Sequence, residues 1–234
     1  CLSGIPGSVG ATPIQNVGAY GQEIADVLDR VTVYDREADR IIQLVASECG
    51  LRYRSSMLKG SSRYLVLGVV LRLRRDSRGG PLRYGELSRG LAADSGSTPT
   101  LWQIREAVLE LRRGKGMVIE PADPNTRSVG SFFTNPIVTA ETYRQLSSAS
   151  QMPHWELPDG RIKLAAAWLI EHAGFEKGYR MAGVGISSKH ALALVNHAGS
   201  TSELLLLARK IRAEVFRRYG VTLEHEPVLV GELL

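Results

Sequence analysis

The chain has 234 residues, 44% of them hydrophobic and 23% charged, with a formal net charge of +5 and two cysteines. That composition supports one or two packed domains and excludes a disordered chain, and two cysteines, Cys1 and Cys49, exclude a disulfide framework. The basic excess permits contact with nucleic acid but is spread along the chain with no recognition motif, and an anionic small molecule explains it equally well; no nucleic-acid partner is expected.

Three further exclusions follow. The longest apolar runs, such as Tyr64 to Leu71 and Leu204 to Ala208, fall short of the ~20 residues that cross a bilayer, so no membrane helix and no membrane partner is expected. No CxxC pair occurs, and His154, His172, His190, His197 and His225 are scattered without ligand spacing, which argues against a metal centre. Scarce cysteine suits a reducing, cytoplasmic setting, and the opening Cys-Leu-Ser-Gly-Ile-Pro-Gly reads as a start cut within a longer protein.

In chain order, the stretch from Gly4 to Gly21 comes first, where repeated glycine lets backbone amides approach and cradle a flat or anionic ligand. An ordinary turn fits the spacing as well, and the pattern is not the GxGxxG dinucleotide fingerprint. Alternation with a period of two predicts strands at Val31 to Tyr34, Ile41 to Leu44 and Tyr64 to Arg74. The polar and basic patch from Leu51 to Lys59 between the last two is predicted as a loop with chemistry. Thr100 with Gln103 forms a capping box that starts an amphipathic helix ending before Gly114.

The second half alternates predicted helices at Ala140 to Leu146, Leu164 to His172 and Glu203 to Tyr219, the last capped by Ser200 with Glu203, and predicted strands at Ala191 to Val195 and Leu229 to Val230. Short mixed elements without a βαβ rhythm predict an α+β fold with no internal repeat, in two parts, residues 1–115 and 116–234.

Three residues stand out chemically. Ser131 follows a glycine and precedes Phe132 and Phe133, a setting for a proton donor beside a ring or a double bond, and equally for a satisfied serine on a buried edge strand. Glu226 lies in an apolar tail where partial burial would suit a carboxylate to proton chemistry, unless it is a solvated surface residue. Arg54 beside Tyr53 has the planar fork that clamps a carboxylate, or forms a structural ion pair. No nucleophile-elbow context accompanies any serine, so a hydrolase triad is not expected.

Seven blocks occur in a fixed order: IPGSVGATPIQNVGAYGQE, YRSSMLK, LRYGEL, GSFFTNP, KLAAAWLIE, KHALALVN and LEHEPVLVG. Together they resemble the UDP-N-acetylenolpyruvoylglucosamine reductases along essentially the whole chain. The resemblance implies a partial FAD-binding α/β subdomain followed by a mixed α+β substrate-binding subdomain. It further implies FAD as cofactor, NADPH as hydride donor, and reduction of UDP-N-acetylglucosamine enolpyruvate to UDP-N-acetylmuramate in peptidoglycan precursor synthesis, by a monomer. Transferred block by block, Ser131 resembles the general acid, Glu226 the catalytic glutamate and Arg54 the arginine that holds the substrate carboxylate. Pro6, Gly7, Ser8, Gly10, Ala11, Ile14 and Gln15 match the flavin-contacting loop, with Val9 and Val17 as packing residues. Tyr84 resembles a tyrosine that folds over the nucleotide in the subgroup with an extra loop, and Lys115 and Asn135 match contacts to the substrate's phosphates and sugar.

The chain departs from the family pattern in three places. The family's first glycine-rich domain has no counterpart before Cys1, His225 stands where a proline is usual, and the lysine before GSFFTNP is set in a longer insert from Lys115 to Asn125. The first departure opens an alternative, a nucleotide-sugar-binding fragment without redox activity.

Overall fold

The structure is a computed structural model that describes residues 1–82, 84–91, 98–147, 151–231 and 234. Arg83, inside the LRYGEL block, lies outside the described residues. The chain divides into two compact units, Cys1–Arg113 and Gly114–Leu234.

In the first unit a short hairpin, β1 (Gly18–Ala19) and β2 (Gln22–Glu23), precedes β3 (Leu28–Asp35), β4 (Arg40–Val45) and β5 (Tyr64–Leu71). The three long strands form an antiparallel sheet in the order β4-β3-β5. β3 is central because it carries β-branched residues that suit a pleated, half-buried surface, and Val31 and Val33 are buried. They pack with Ile24, Leu28, Cys49 and Leu58 into one core. Buried Asp35 closes the β3–β4 turn by accepting the amides of Glu37 and Ala38 at 3.0 and 3.3 Å, and it pairs with Arg63 at 2.6 Å.

The alternation that predicts β5 as far as Arg74 stops in the structure at Leu71. Arg72 still donates its amide to Val27 at 2.8 Å, but its side chain is 83% exposed, so nothing there needs a continued ladder. After β5 come α1 (Gly85–Gly90) and α2 (Leu101–Gly114), the latter opened by the expected Thr100–Gln103 capping box. Leu87, Ile104 and Val108 form a second small core, against which Cys1, Tyr20, Leu82 and Tyr84 pack.

The second unit holds two three-stranded antiparallel sheets. One is β6 (Ile137–Val138), β8 (Ile162–Leu164) and β7 (His154–Glu156), in that order, and the other is β11 (Leu194–Asn196), β10 (Val184–Ile186) and β9 (Arg180–Met181). Helices α3 (Ala140–Ser147), α4 (Ala166–His172) and α5 (Thr201–Tyr219) complete it. On α5 Leu205, Ala208, Ile211 and Val215 are buried, at the three-to-four spacing of one helix face. Ser200 and Glu203 form the expected capping box, a device worth about 1 kcal/mol, and Gly220 ends the helix in the left-handed region.

Three sequence-based boundaries shift for physical reasons. Leu164 belongs to β8, so α4 begins two residues later, where Asn135 Oδ1 accepts the Ala166 amide at 3.0 Å. The strand expected at Ala191 to Val195 is Leu194–Asn196, because Leu192 and Ala193 turn to hold the Ser131 segment. The strand expected at Leu229 to Val230 does not form: Leu229 packs partly against the main core while Val230 is 90% exposed.

Candidate functional site

The segment from Gly130 to Thr134 has little regular structure, yet it is pinned from two sides. On one side Ser131 bridges Ala193 and the Phe132 amide donates to Leu192 at 2.7 Å. On the other, Phe133 bridges His225, the Thr134 amide donates to Glu224 at 2.9 Å, and the Glu226 amide donates to the Phe132 carbonyl at 2.8 Å. Phe132 and Phe133 are both buried, their rings edge to face at 5.1 Å, and they anchor the segment in the main core of the unit. Ser131 remains partly exposed at the start of this anchored stretch. Two of the expected catalytic residues, Ser131 and Glu226, therefore lie on backbone segments that pair with each other.

The transferred substrate contacts in this unit are less uniform. Asn135 is partly buried and its carbonyl oxygen is engaged by the Ala166 amide, which leaves its NH2 as the group able to serve a ligand. Lys115 is partly buried just beyond α2. His190 accepts the Leu192 amide on Nδ1 at 3.1 Å, which leaves the proton of the neutral ring on Nε2.

In the first unit the glycine-rich stretch and the basic patch are stitched together. Ser56 Oγ donates to the Ile14 carbonyl at 2.6 Å, and Arg54 Nη2 donates to the Gly18 carbonyl at 2.6 Å. Arg54 also lies 3.8 Å from Glu23, which in turn accepts from Asn16 Nδ2 at 2.7 Å. Asn16 is buried and completes the link by donating to the Arg52 carbonyl at 3.0 Å and accepting the Ala25 amide at 3.0 Å. A Cβ on Gly18 would sit 2.7 Å from Glu23 Cγ and 2.9 Å from Arg54 Nη1, so only glycine lets the guanidinium come this close. Asn16, Tyr20 and Arg54 all have positive φ, at 48°, 51° and 51°. Each such residue costs about 1–2 kcal/mol, and strain gathered in one patch is a mark of a functional site.

Tyr20 meets Tyr84 edge to face at 5.3 Å, and burial pushes the Tyr20 phenol up to about 12, so it is a hydrogen-bond donor at neutral pH. The expected flavin loop is more open. Pro6, Gly7, Ser8 and Ala11 are exposed and Gly10, Ile14 and Gln15 partly so. A Cβ on Gly7 or Gly10 would meet nothing within 4 Å, which leaves room for a flat ring to lie against the backbone, and the loop fits a flavin on that ground.

The expected flavin loop, Arg54 and Tyr84 thus lie in the first unit, and Lys115, Ser131, Asn135 and Glu226 in the second. Sequence reasoning missed Asn16, Asn125 and His190. The Asp123-Pro124 start of a capped turn was a legible signal for the second, and the KHALALVN block contained the third. No cluster of three or more His, Cys, Asp or Glu residues able to hold a metal is found among the described residues. No helix among them is long and apolar enough to cross a membrane.

Comparison with known proteins adds an independent line. The C-terminal domain family of UDP-N-acetylenolpyruvoylglucosamine reductase matches residues 122–230. Proteins named UDP-N-acetylenolpyruvoylglucosamine reductase align along this chain. The one from Thermobifida fusca is 54% identical over 242 residues, covering 100% of this chain and 68% of that protein. The one from Mycobacterium tuberculosis is 48% identical over 248 residues, covering 100% and 67%. The chain spans about two thirds of the length of such relatives. A crystal structure of the reductase from Thermus caldophilus superposes with a TM-score of 0.58 at 24% identity, covering 96% of this chain and 61% of that one, a likeness of fold.

Proposed function

The chain belongs to the UDP-N-acetylenolpyruvoylglucosamine reductase family, a family of oxidoreductases, and we propose that it acts on UDP-N-acetylglucosamine enolpyruvate with FAD as cofactor and NADPH as hydride donor. The observation that carries this reading is the pairing of the Ser131 segment with the irregular segment that bears Glu226, on a buried two-phenylalanine anchor. A cytoplasmic monomer working on peptidoglycan precursors belongs to the same proposal.

Pro6 to Gln15 would hold the flavin, which would supply a hydride to one carbon of the enolpyruvyl double bond. The neighbouring carbon and its carboxylate are then left with negative charge, which fixed donors stabilise best when they are already oriented. Arg54 is assigned to the substrate carboxylate, because its planar fork matches two oxygens and the Gly18 carbonyl and Glu23 hold the guanidinium in place. Ser131 is assigned as the acid whose hydroxyl proton passes to the carbon bearing the charge. Glu226 is assigned to assist as that charge develops, from the segment whose amide donates to the Phe132 carbonyl. Tyr84, Lys115 and the Asn135 amide are assigned to the nucleotide, phosphates and sugar.

The test is Ser131→Ala in the flavin-loaded protein. Turnover should fall by about 10²- to 10⁴-fold, the usual contribution of a positioned acid, while NADPH still bleaches the flavin at the unaltered rate. Normal turnover in that variant removes Ser131 from its role. Calorimetry with UDP-N-acetylglucosamine in the absence of flavin addresses the alternative, a binding fragment without redox activity.

A further inference from the structure

A short turn in the second unit does more than connect elements. Asp123 opens the 3-10 turn Pro124–Thr126 and accepts both the backbone amide and the side-chain Nδ2 of Asn125 at 2.9 Å. The Asn125 amide group is therefore oriented by its own turn, with Oδ1 facing away from Asp123. That oxygen collects three donors from a distant loop: Ser187 Oγ at 2.9 Å, the Ser188 amide at 2.9 Å and Ser188 Oγ at 3.2 Å. Lys189 clasps the same turn through Asp123 at 2.7 Å, an ion pair that holds the Asp123 carboxyl below its usual range.

Ser187 is 1% exposed and passes the constraint onward. Its Oγ accepts the amides of Lys189 and His190 at 3.0 and 3.3 Å, and its own amide donates to the Ala193 carbonyl at 2.8 Å. Ala193 is the residue that bridges Ser131, and Leu192 beside it receives the Phe132 amide. Hydrogen bonds and one short stretch of backbone thus lead from Asn125 through Ser187 and Ala193 to Leu192, which holds the Phe132 amide next to Ser131. Only a primary amide of this length both donates to Asp123 and accepts from Ser187 and Ser188. Aspartate would set a second carboxylate against Asp123, and glutamine would push the oxygen out by one methylene.

We propose that Asn125 is a positioning residue for Ser131, setting the Ser187–Ala193 turn against which the Ser131–Phe132 backbone is held in register. The proposal rests on the role assigned to Ser131 above, and its test separates the two. In the flavin-loaded enzyme, Asn125→Ala should lower kcat by about 10²-fold, the scale of loss when a reacting group is displaced by about 1 Å, with KM little altered and NADPH bleaching of the flavin unaltered. Hydrogen exchange gives a readout independent of activity: the Phe132 amide should exchange faster in Asn125→Ala while the amides of α5 keep their protection. Ser187→Ala, which breaks the same run one step later, should reproduce both effects, and the double variant should be no worse than either single one. Ser187→Ala also serves if Asn125→Ala does not fold. If Ser131→Ala is inactive but Asn125→Ala, or its substitute, turns over normally with an unaltered Phe132 amide, the positioning proposal is wrong and the assignment of Ser131 stands. If Ser131→Ala is itself fully active, that assignment fails first. A fall in thermal stability with kcat per folded molecule unaltered overturns the positioning role as well.

Discussion

The Pro6–Gln15 loop of the first unit and the Gly130–Thr134 segment of the second are both short, irregular stretches that carry glycine near their start, yet they are built in opposite ways. The second is held by backbone hydrogen bonds on both sides and anchored by two buried phenylalanines. The first is largely exposed, closed by its own tight turn at Val9–Ala11, with open space above its glycines. A group that must deliver a proton to one carbon atom gains from being fixed before the substrate arrives. A loop that must admit a large flat ring gains from backbone that nothing else covers. Rigidity and openness are thus distributed as the roles proposed for the two stretches require.

The contrast can be broken most severely at Phe133. Phe133→Ala should destabilise the second unit by about 3–5 kcal/mol, measured by denaturant unfolding, and should cost turnover through Ser131 as well. A loss below 1 kcal/mol would mean that the segment does not depend on its aromatic anchor.

An intermediate effect is expected at the base of the first unit's sheet. Arg63 holds the Asp35 carboxyl down to about 2, well under its ordinary value near 3.9. Because the folded value is depressed, the stabilisation is complete above the unfolded value and is lost as pH falls from about 4 through about 2. Arg63→Ala should therefore be less stable than the parent at pH 6, with the gap shrinking over that window. A gap that stays constant down to pH 2 would show that the pair contributes nothing through ionisation.

The smallest effect is expected at Gly10. With nothing within 4 Å of the added methyl group, Gly10→Ala should leave the melting temperature nearly unaltered, within the shift produced by about 1 kcal/mol, while weakening FAD retention. Full FAD affinity in that variant would place the flavin elsewhere.

Much of this organisation is legible in the chain itself. The alternation of Val31, Thr32 and Val33 marks a strand, the Thr100–Gln103 and Ser200–Glu203 pairs mark two helix starts, and the three-to-four spacing on α5 marks its buried face. These are local signals, set by one residue's relation to neighbours within a turn or a pleat. The tail at Leu229 to Val230 shows the limit of that logic: the residues suit a strand, but no partner strand among the described residues reaches them, and β-structure exists only in pairs.

What the sequence determined by itself is therefore the local elements, the family blocks and the residue types able to do the chemistry. What only the tertiary structure decided is which of those blocks stand against one another. Nothing in GSFFTNP announces that its flanks are held by Leu192 and by Glu226, nor that Asn125 governs the turn behind it. Nothing in the glycine stretch announces that Asn16 and the Gly18 carbonyl tie it to the Arg54 turn. Such contacts join residues far apart along the chain, and their free energy appears only once packing has closed the loops between them.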